Sequence, residues 1–166
     1  MSFTIKRLDK SERCRGRVER LLWAIDSDYV PPLSTHLDLS LYAEKLLDCA
    51  VVCIAEVKSS DVGIIAIYTN EMNEKLAFIS TIGVSRNARG IGVAGALIEA
   101  AIMHARLAGM LRVRLEVSRL NTPAIQLYQK MGFKELLTAS TGTYENSTMM
   151  EKAISPEDNT GTCSGG

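Results

Sequence analysis

The hydrophobic pattern is organised around residues 78–108, where an apolar run, a glycine-rich turn and an alanine-rich run of helical period follow one another. Residues 78–84 (FISTIGV) are mostly apolar and β-branched and predict a strand. Residues 85–95 read as a turn, with Arg86, Arg89, Gly90, Gly92 and Gly95. Beyond it Leu97, Ile98, Ala101 and Ala105 recur at helical spacing, which predicts a helix over 93–108 with Gly109 just past its end.

The same reading extends to the rest of the chain. Residues 2–8 alternate around Phe3 and Ile5 and predict a first strand. Val18, Leu21, Leu22 and Ile25 form one apolar stripe on a helix that starts near Ser11. Pro31 and Pro32 break the pattern within 26–37 and fix an extended loop there. A second helix begins near Asp38 or Ser40, with Leu39, Tyr42, Leu46 and Leu47 on one face. Three strand-like runs, 50–57, 63–69 and 76–84, are joined by polar turns at 58–61 and 70–74, short enough to be antiparallel hairpins. Residues 111–117 alternate, with Leu111, Val113, Leu115 and Val117 facing one way and Arg112, Arg114 and Glu116 the other. Strand 76–84, the helix and strand 111–117 make a parallel crossover. A short helix follows within 121–133, with Thr122 as N-cap, Pro123 at its first position and Gly132 at its end. Runs at 133–138 and 147–153 predict a last pair of strands around Gly142. Residues 154–166 are almost devoid of apolar side chains, so one folded domain is expected over 1–153 with a disordered tail after it.

Composition narrows the function. The 166 residues carry 19 basic and 19 acidic side chains, and no basic run points to nucleic acid. No apolar run approaches the ~20 residues that span a bilayer. The N-terminal residues carry charges where a signal peptide needs its apolar segment, and a cytoplasmic protein is expected. Cys14, Cys49, Cys53 and Cys163 form no metal-binding spacing with His36 or His104. The cysteines read as small hydrophobes or, for Cys163, as part of the tail. No metal site is expected.

The glycine-rich turn carries the first chemistry. A strand feeding such a loop into a helix N-terminus aims backbone amides and the positive end of the helix dipole at one spot, where an anion binds. Arg89 adds a charge there. Two ligands fit the loop alone. Gly90-Ile91-Gly92-Val93-Ala94-Gly95 matches the dinucleotide fingerprint Gly-x-Gly-x-x-Gly, with Glu116 about 20 residues on. Against a dinucleotide, residues 85–89 separate the strand from the first glycine, and too little chain follows Glu116 for the rest of a doubly wound fold.

Arg89-Gly90-Ile91-Gly92-Val93-Ala94 also resembles the Arg/Gln-x-x-Gly-x-Gly/Ala signature of the Gcn5-related N-acetyltransferases (the GNAT superfamily). A second block, Leu115-Glu116-Val117 followed by Asn121, Ala124, Leu127-Tyr128 and Gly132-Phe133, is similar to a later motif of the same family. The two motifs stand in the family's order, one helix and one strand apart, and cover residues 78–133. The resemblance implies the acyl-CoA N-acyltransferase fold, an α/β (α+β) arrangement with a mixed, mostly antiparallel central sheet flanked by helices. It implies acetyl-CoA as cosubstrate and a primary amine as acceptor, either a small molecule (amino acid, polyamine or amino sugar) or a peptide N-terminus, attacked directly in a ternary complex. The loop Gly90, Ile91, Gly92, Val93, Ala94 and Gly95, with Arg89, is then expected to hold the pyrophosphate. The backbone of Ile82, Gly83 and Val84 is expected to pair with the pantetheine arm, with a bulge at Gly83 fitting that geometry, and Asn121 to bond the same arm or nearby backbone. Glu116 is the candidate base, directly or through an ordered water, and Tyr128 the candidate acid. Asp26, Asp28, Tyr29 and His36 lie where relatives meet the acceptor. Many relatives pair as dimers, so a homodimer is a further expectation. The alternatives left open are a non-catalytic CoA-binding module and a dinucleotide-binding oxidoreductase.

Overall fold

The computed structural model describes residues 2–137, 142–143 and 146–155. Its centre is a seven-stranded sheet in the order β1-β2-β3-β4-β5-β7-β6. The strands are β1 (Thr4–Arg7), β2 (Val51–Val57), β3 (Ser60–Glu71), β4 (Leu76–Val84), β5 (Arg112–Ser118), β6 (Lys134–Glu135) and β7 (Ser147–Ala153). The helices are α1 (Glu12–Ile25), α2 (Leu39–Cys49), α3 (Val93–Leu107) and α4 (Thr122–Lys130). Every described strand pair is antiparallel except β4–β5, which the α3 crossover makes parallel. A doubly wound dinucleotide fold is mostly parallel, so the oxidoreductase alternative falls here. The last predicted strand pair is present, with β7 inserted between β5 and β6. Thr138 and residues 156–166 of the expected tail, Cys163 among them, lie outside the described residues.

Two apolar layers clothe the sheet. On one face α1 and α2 cover Val52, Ile54, Ile64 and Ala66 with the stripe Cys14, Val18, Leu21, Leu22 and Ile25. Ser11 starts α1 by accepting the Cys14 amide at 3.2 Å, and Asp38 starts α2 by accepting from Ser40 and Leu41. Such caps each stabilise a helix by about 1 kcal/mol. On the other face α3 and α4, with Phe133 just after α4, pack Leu97, Ile98, Ala101, Ala105 and Tyr128 against Ile65, Ile67, Ile79, Val113, Leu115 and Val117. Gly109, at φ +80°, ends α3: its amide bonds the Arg106 carbonyl and the Met110 amide bonds the Ala105 carbonyl, the two bonds of a Schellman motif.

The β2–β3 connection is tighter than the pattern predicts. Val57 already pairs with Ser60, leaving Lys58 and Ser59 at φ 48° and 63° as a two-residue turn. The α4 cap also moves one position. Asn121, not Thr122, accepts the Ala124 amide at 3.2 Å, and Thr122 and Pro123 occupy the first turn. Asparagine and threonine are both good caps, so the pattern could not separate neighbours.

Candidate active site

The parallel β4–β5 ladder is short. It runs from Leu76↔Arg112 to Ile79↔Leu115 and stops, although β4 continues to Val84 and β5 to Ser118. The two strands therefore fork. The cause lies in β4's other edge, where Ala66 pairs with Thr81 but Ile67 pairs with Ile79, so Ser80 is an extra residue. A bulge of this kind bends and twists the strand that carries it. The bulge expected at Gly83 is thus at Ser80, and Gly83 pairs regularly with Ile64. Gly83 is glycine for a packing reason. A Cβ there would sit 2.6–2.9 Å from three atoms of the Ile25 side chain. The end of α1 crosses the strand in contact with its backbone.

At the far end of β4 the chain passes through a short turn, Arg86–Ala88, into the glycine loop. Gly90 and Gly92 have φ of 82° and 90°, a left-handed conformation that costs other residues about 1 kcal/mol or more. Gly92 is the N-cap of α3, and Ala96 is the first amide bonded back into the helix. The amides of Val93, Ala94 and Gly95 are first-turn donors of the kind that bind phosphate. Added Cβ atoms at Gly90, Gly92 and Gly95 would meet nothing within 4 Å. The loop is an open cradle rather than a packed turn, with first-turn amides of the kind that receive an anion. Arg89 stands beside it, donating from Nε to the Val84 carbonyl at 3.1 Å and from Nη2 to Asp28 at 2.6 Å. Arg86 is exposed.

Three tyrosines converge on the upper part of β4. The Tyr29 hydroxyl donates to the Ile82 carbonyl at 2.8 Å and accepts from the Ile82 amide at 3.1 Å. In an antiparallel ladder a residue turns both backbone groups to one side. Ile82, opposite Ile65, therefore directs both away from β3 and into the fork. Tyr42 of α2 shares a 2.7 Å hydrogen bond with the buried Thr81 hydroxyl. Tyr128 of α4 comes from the opposite face, packed 5.9 Å from the Phe133 ring. Burial pushes its phenol up to about 12, and the Tyr29 phenol is also raised, first by burial and then by the neighbouring Tyr128 and Tyr42. Both hydroxyls hold their protons at neutral pH.

Glu116 projects from β5 on the face away from Leu115 and Val117, at the level where the ladder has ended. Arg112 and Arg114, the neighbours its side chain would meet as an exposed strand residue, instead pair with Glu151 of β7. Glu116 accepts the Ser147 hydroxyl at 2.5 Å, and a side chain added to Gly142 would overlap both groups. The carboxylate is thus held by Ser147 of β7, with Gly142 close beside it. Of the other expected site residues, Asn121 uses its side-chain oxygen to cap α4. Asp26 accepts the Ser34 amide and hydroxyl, which together hold its carboxyl below the usual range. His36 is exposed on the same loop.

Residues 17–133 match a family model described as Acetyltransferase (GNAT) family. This span is more than half of the chain. The chain belongs to the GNAT acetyltransferase family. Among solved GNAT structures it is similar to the ribosomal-protein-S18-alanine N-acetyltransferase from Escherichia coli, with a TM-score of 0.73 and 19% identity over 93% of this chain and 95% of that one. The NatC complex bound to Gag peptide and CoA contains a chain with a TM-score of 0.72 and 23% identity, covering 93% of this chain and 100% of that one. A curated relative, the chloroplastic GCN5-related N-acetyltransferase 6 of Arabidopsis thaliana, is 34% identical over 76 residues. That stretch is 46% of this chain and 25% of the relative's length.

In this GNAT sheet, sequence reasoning missed Ser147, the place of Gly142 beside Glu116, and the role of Ser80. A serine at a strand end, a glycine in a loop and a bulge residue carry no periodic signal. Tyr42 was legible only as part of α2's apolar face. No helix among the described residues is long and apolar enough to cross a membrane.

Proposed function

We propose that this GNAT protein transfers an acetyl group from acetyl-CoA to a primary amine by direct attack in a ternary complex. The observation that carries the reading is the β4–β5 fork, which opens after Ile79 and Leu115 and leads along β4 to the glycine cradle. Acetyl-CoA supplies an activated acetyl thioester. In this reading Arg89 and the amides of residues 90–95 hold the pyrophosphate. The backbone of Ile82 and Val84, turned away from β3, bonds the pantetheine arm, whereas Gly83, expected to do the same, turns its groups to Ile64 of β3; Asn121 offers its amide to the arm.

The acceptor brings the harder problem. A free alkylamine with a pKa near 10.4 is neutral in only about one molecule per 10³ at pH 7, which costs about 4–5 kcal/mol. Glu116, fixed by Ser147, takes that proton directly or through a water, a contribution of about 10²–10⁴ in rate. In this reading Tyr128, buried on the other face of the sheet, is the donor to the departing sulfur. A phenol near 12 loses its proton reluctantly to a thiolate whose acid lies near 8.5. Its contribution is therefore a hydrogen bond to sulfur as charge develops, not a complete transfer ahead of bond cleavage.

The acceptor is a small-molecule amine or a peptide N-terminus. The Escherichia coli neighbour, described as acting on a ribosomal-protein alanine, supports the second choice. Thermal unfolding with acetyl-CoA, CoA, NADH and ATP tests the cosubstrate. A ligand at 100 times its Kd adds about 2.7 kcal/mol of stability. Stabilisation by the CoA ligands alone, followed by amine-dependent thiol release, supports the assignment. Stabilisation without thiol release for any amine leaves a CoA-binding module, and stabilisation by NADH or ATP instead removes the cosubstrate assignment.

A further inference from the structure

Two consecutive residues of the α1–α2 loop occupy groups on β4 and beside the glycine loop at once. Tyr29 satisfies both the amide and the carbonyl of Ile82, at 3.1 and 2.8 Å. Asp28 holds the Arg89 guanidinium at 2.6 Å, while the same guanidinium bonds the end of β4 through the Val84 carbonyl. The loop is anchored behind them, where Asp26 accepts the Ser34 amide at 2.8 Å and its hydroxyl at 2.6 Å. An extended chain entering the fork needs the Ile82 groups that Tyr29 now holds. A phosphate beside Gly90 needs the guanidinium that Asp28 now holds. Each amide N–H makes one good hydrogen bond, so Tyr29 and a pantetheine arm exclude one another at Ile82.

We infer that Asp28 and Tyr29 form a latch that competes with acetyl-CoA for Ile82 and Arg89, so that cosubstrate binding releases the acceptor-side loop. The inference rests on the fork being the pantetheine site. Its consequence is an order of binding. The segment 26–37 reaches its acceptor-binding position only after acetyl-CoA has taken over Ile82 and Arg89. Apparent affinity for acetyl-CoA is then lowered by the fraction of molecules with the latch closed, and weakening the latch raises it.

The test is calorimetric titration of the full chain with acetyl-CoA, for the natural sequence, Tyr29→Phe and Asp28→Asn, each first shown to unfold cooperatively. Tyr29→Phe removes two hydrogen bonds and leaves the Ile82 groups unpaired in the latched form, so Kd is expected to fall about tenfold. Asp28→Asn weakens an ion pair with exposed partners, and about a twofold fall is expected. Stopped-flow binding supplies a second readout. The observed rate levels off with rising acetyl-CoA in the natural sequence, at the rate of latch release, and the plateau rises in Tyr29→Phe. Should the natural sequence bind acetyl-CoA while neither variant binds it more tightly and the plateau is unmoved, the latch is wrong and the cosubstrate assignment stands. Should the natural sequence not bind acetyl-CoA, the assignment fails and the latch with it.

Discussion

Replacing Gly83 with alanine tests how closely α1 is seated on the strand that borders the fork. The added Cβ would lie 2.6 Å from Ile25 Cδ1, 2.8 Å from Cγ2 and 2.9 Å from Cβ. All three contacts are inside the separation that carbon atoms tolerate, and Cβ, unlike Cδ1 and Cγ2, cannot be moved by any side-chain rotation. Ile25 is fully buried, so it has no room to retreat without moving the end of α1. Overpacking of this kind costs about 1–3 kcal/mol. For a chain of this length that lowers Tm by about 2–12 °C. Urea unfolding of four proteins measures it: the natural sequence, Gly83→Ala, Ile25→Ala and the double variant. Ile25→Ala alone loses about 2–5 kcal/mol as a cavity. In that background the new methyl meets only the retained Cβ and fills part of the void, so Gly83→Ala becomes nearly neutral, with a coupling energy of about 1–3 kcal/mol. A Gly83→Ala protein within about 0.5 kcal/mol of the natural one would refute the close seating of α1.

The remaining predictions concern the fork. The Ser80 Oγ is buried and has no hydrogen-bond partner among the described residues, so Ser80→Ala is expected to stabilise the protein by about 1 kcal/mol in urea unfolding; a comparable loss would show that the hydroxyl has a partner. Tyr128→Phe is expected to lower turnover with little change in acetyl-CoA affinity, and unchanged turnover removes its role as donor. The same variant has a pH signature: the phenol's value rises from 10.0 to about 12 on folding, so the stability it contributes is complete below pH 10 and lost as pH climbs toward 12. Tyr128→Phe should flatten the alkaline limb of a Tm-against-pH curve, and an unaltered limb would show that this phenol does not carry it. Glu116→Gln is expected to cut turnover about 10²–10⁴-fold at neutral pH, measured by thiol release, whereas a merely structural carboxylate would lower Tm and leave turnover per folded molecule intact.

Much of this architecture was legible because apolar spacing and burial are the same fact seen twice. The stripe Val18, Leu21, Leu22 and Ile25 is buried as spaced, and the alternation of β5 matches its buried positions at Val113, Leu115 and Val117, while Leu111 falls before the strand and is exposed. The glycine loop was legible because a left-handed turn leading into a helix leaves a composition that few other structures need. What stayed hidden depends on contacts between segments far apart in the chain. Nothing local tells Asp28 that Arg89 lies beside it, or Tyr29 that Ile82 turns its amide outward. The bulge was assigned to Gly83 because glycine suits irregular backbone. The strand bends instead at Ser80, and Gly83 answers to the bulk of Ile25. A glycine in a strand signals either a bend or a close neighbour, and only the packed structure distinguishes them.

The position of β7 has a consequence for biosynthesis. The last strand of the described chain is an interior strand, lying between β5 and β6, both made before it. Until residues 147–153 leave the ribosome, β6 has no partner and one edge of β5 is bare. The carboxylate of Glu116 likewise lacks the Ser147 hydroxyl that holds it. Strands β2 to β4 can pair by successive hairpins as they emerge, with β1 already made and added across α1 and α2, but β5 and β6 wait for residues 147–153. A nascent chain stalled just short of Ser147 would therefore carry the glycine loop with an unfinished sheet edge beside it, a natural point of engagement for chaperones that bind unpaired strands.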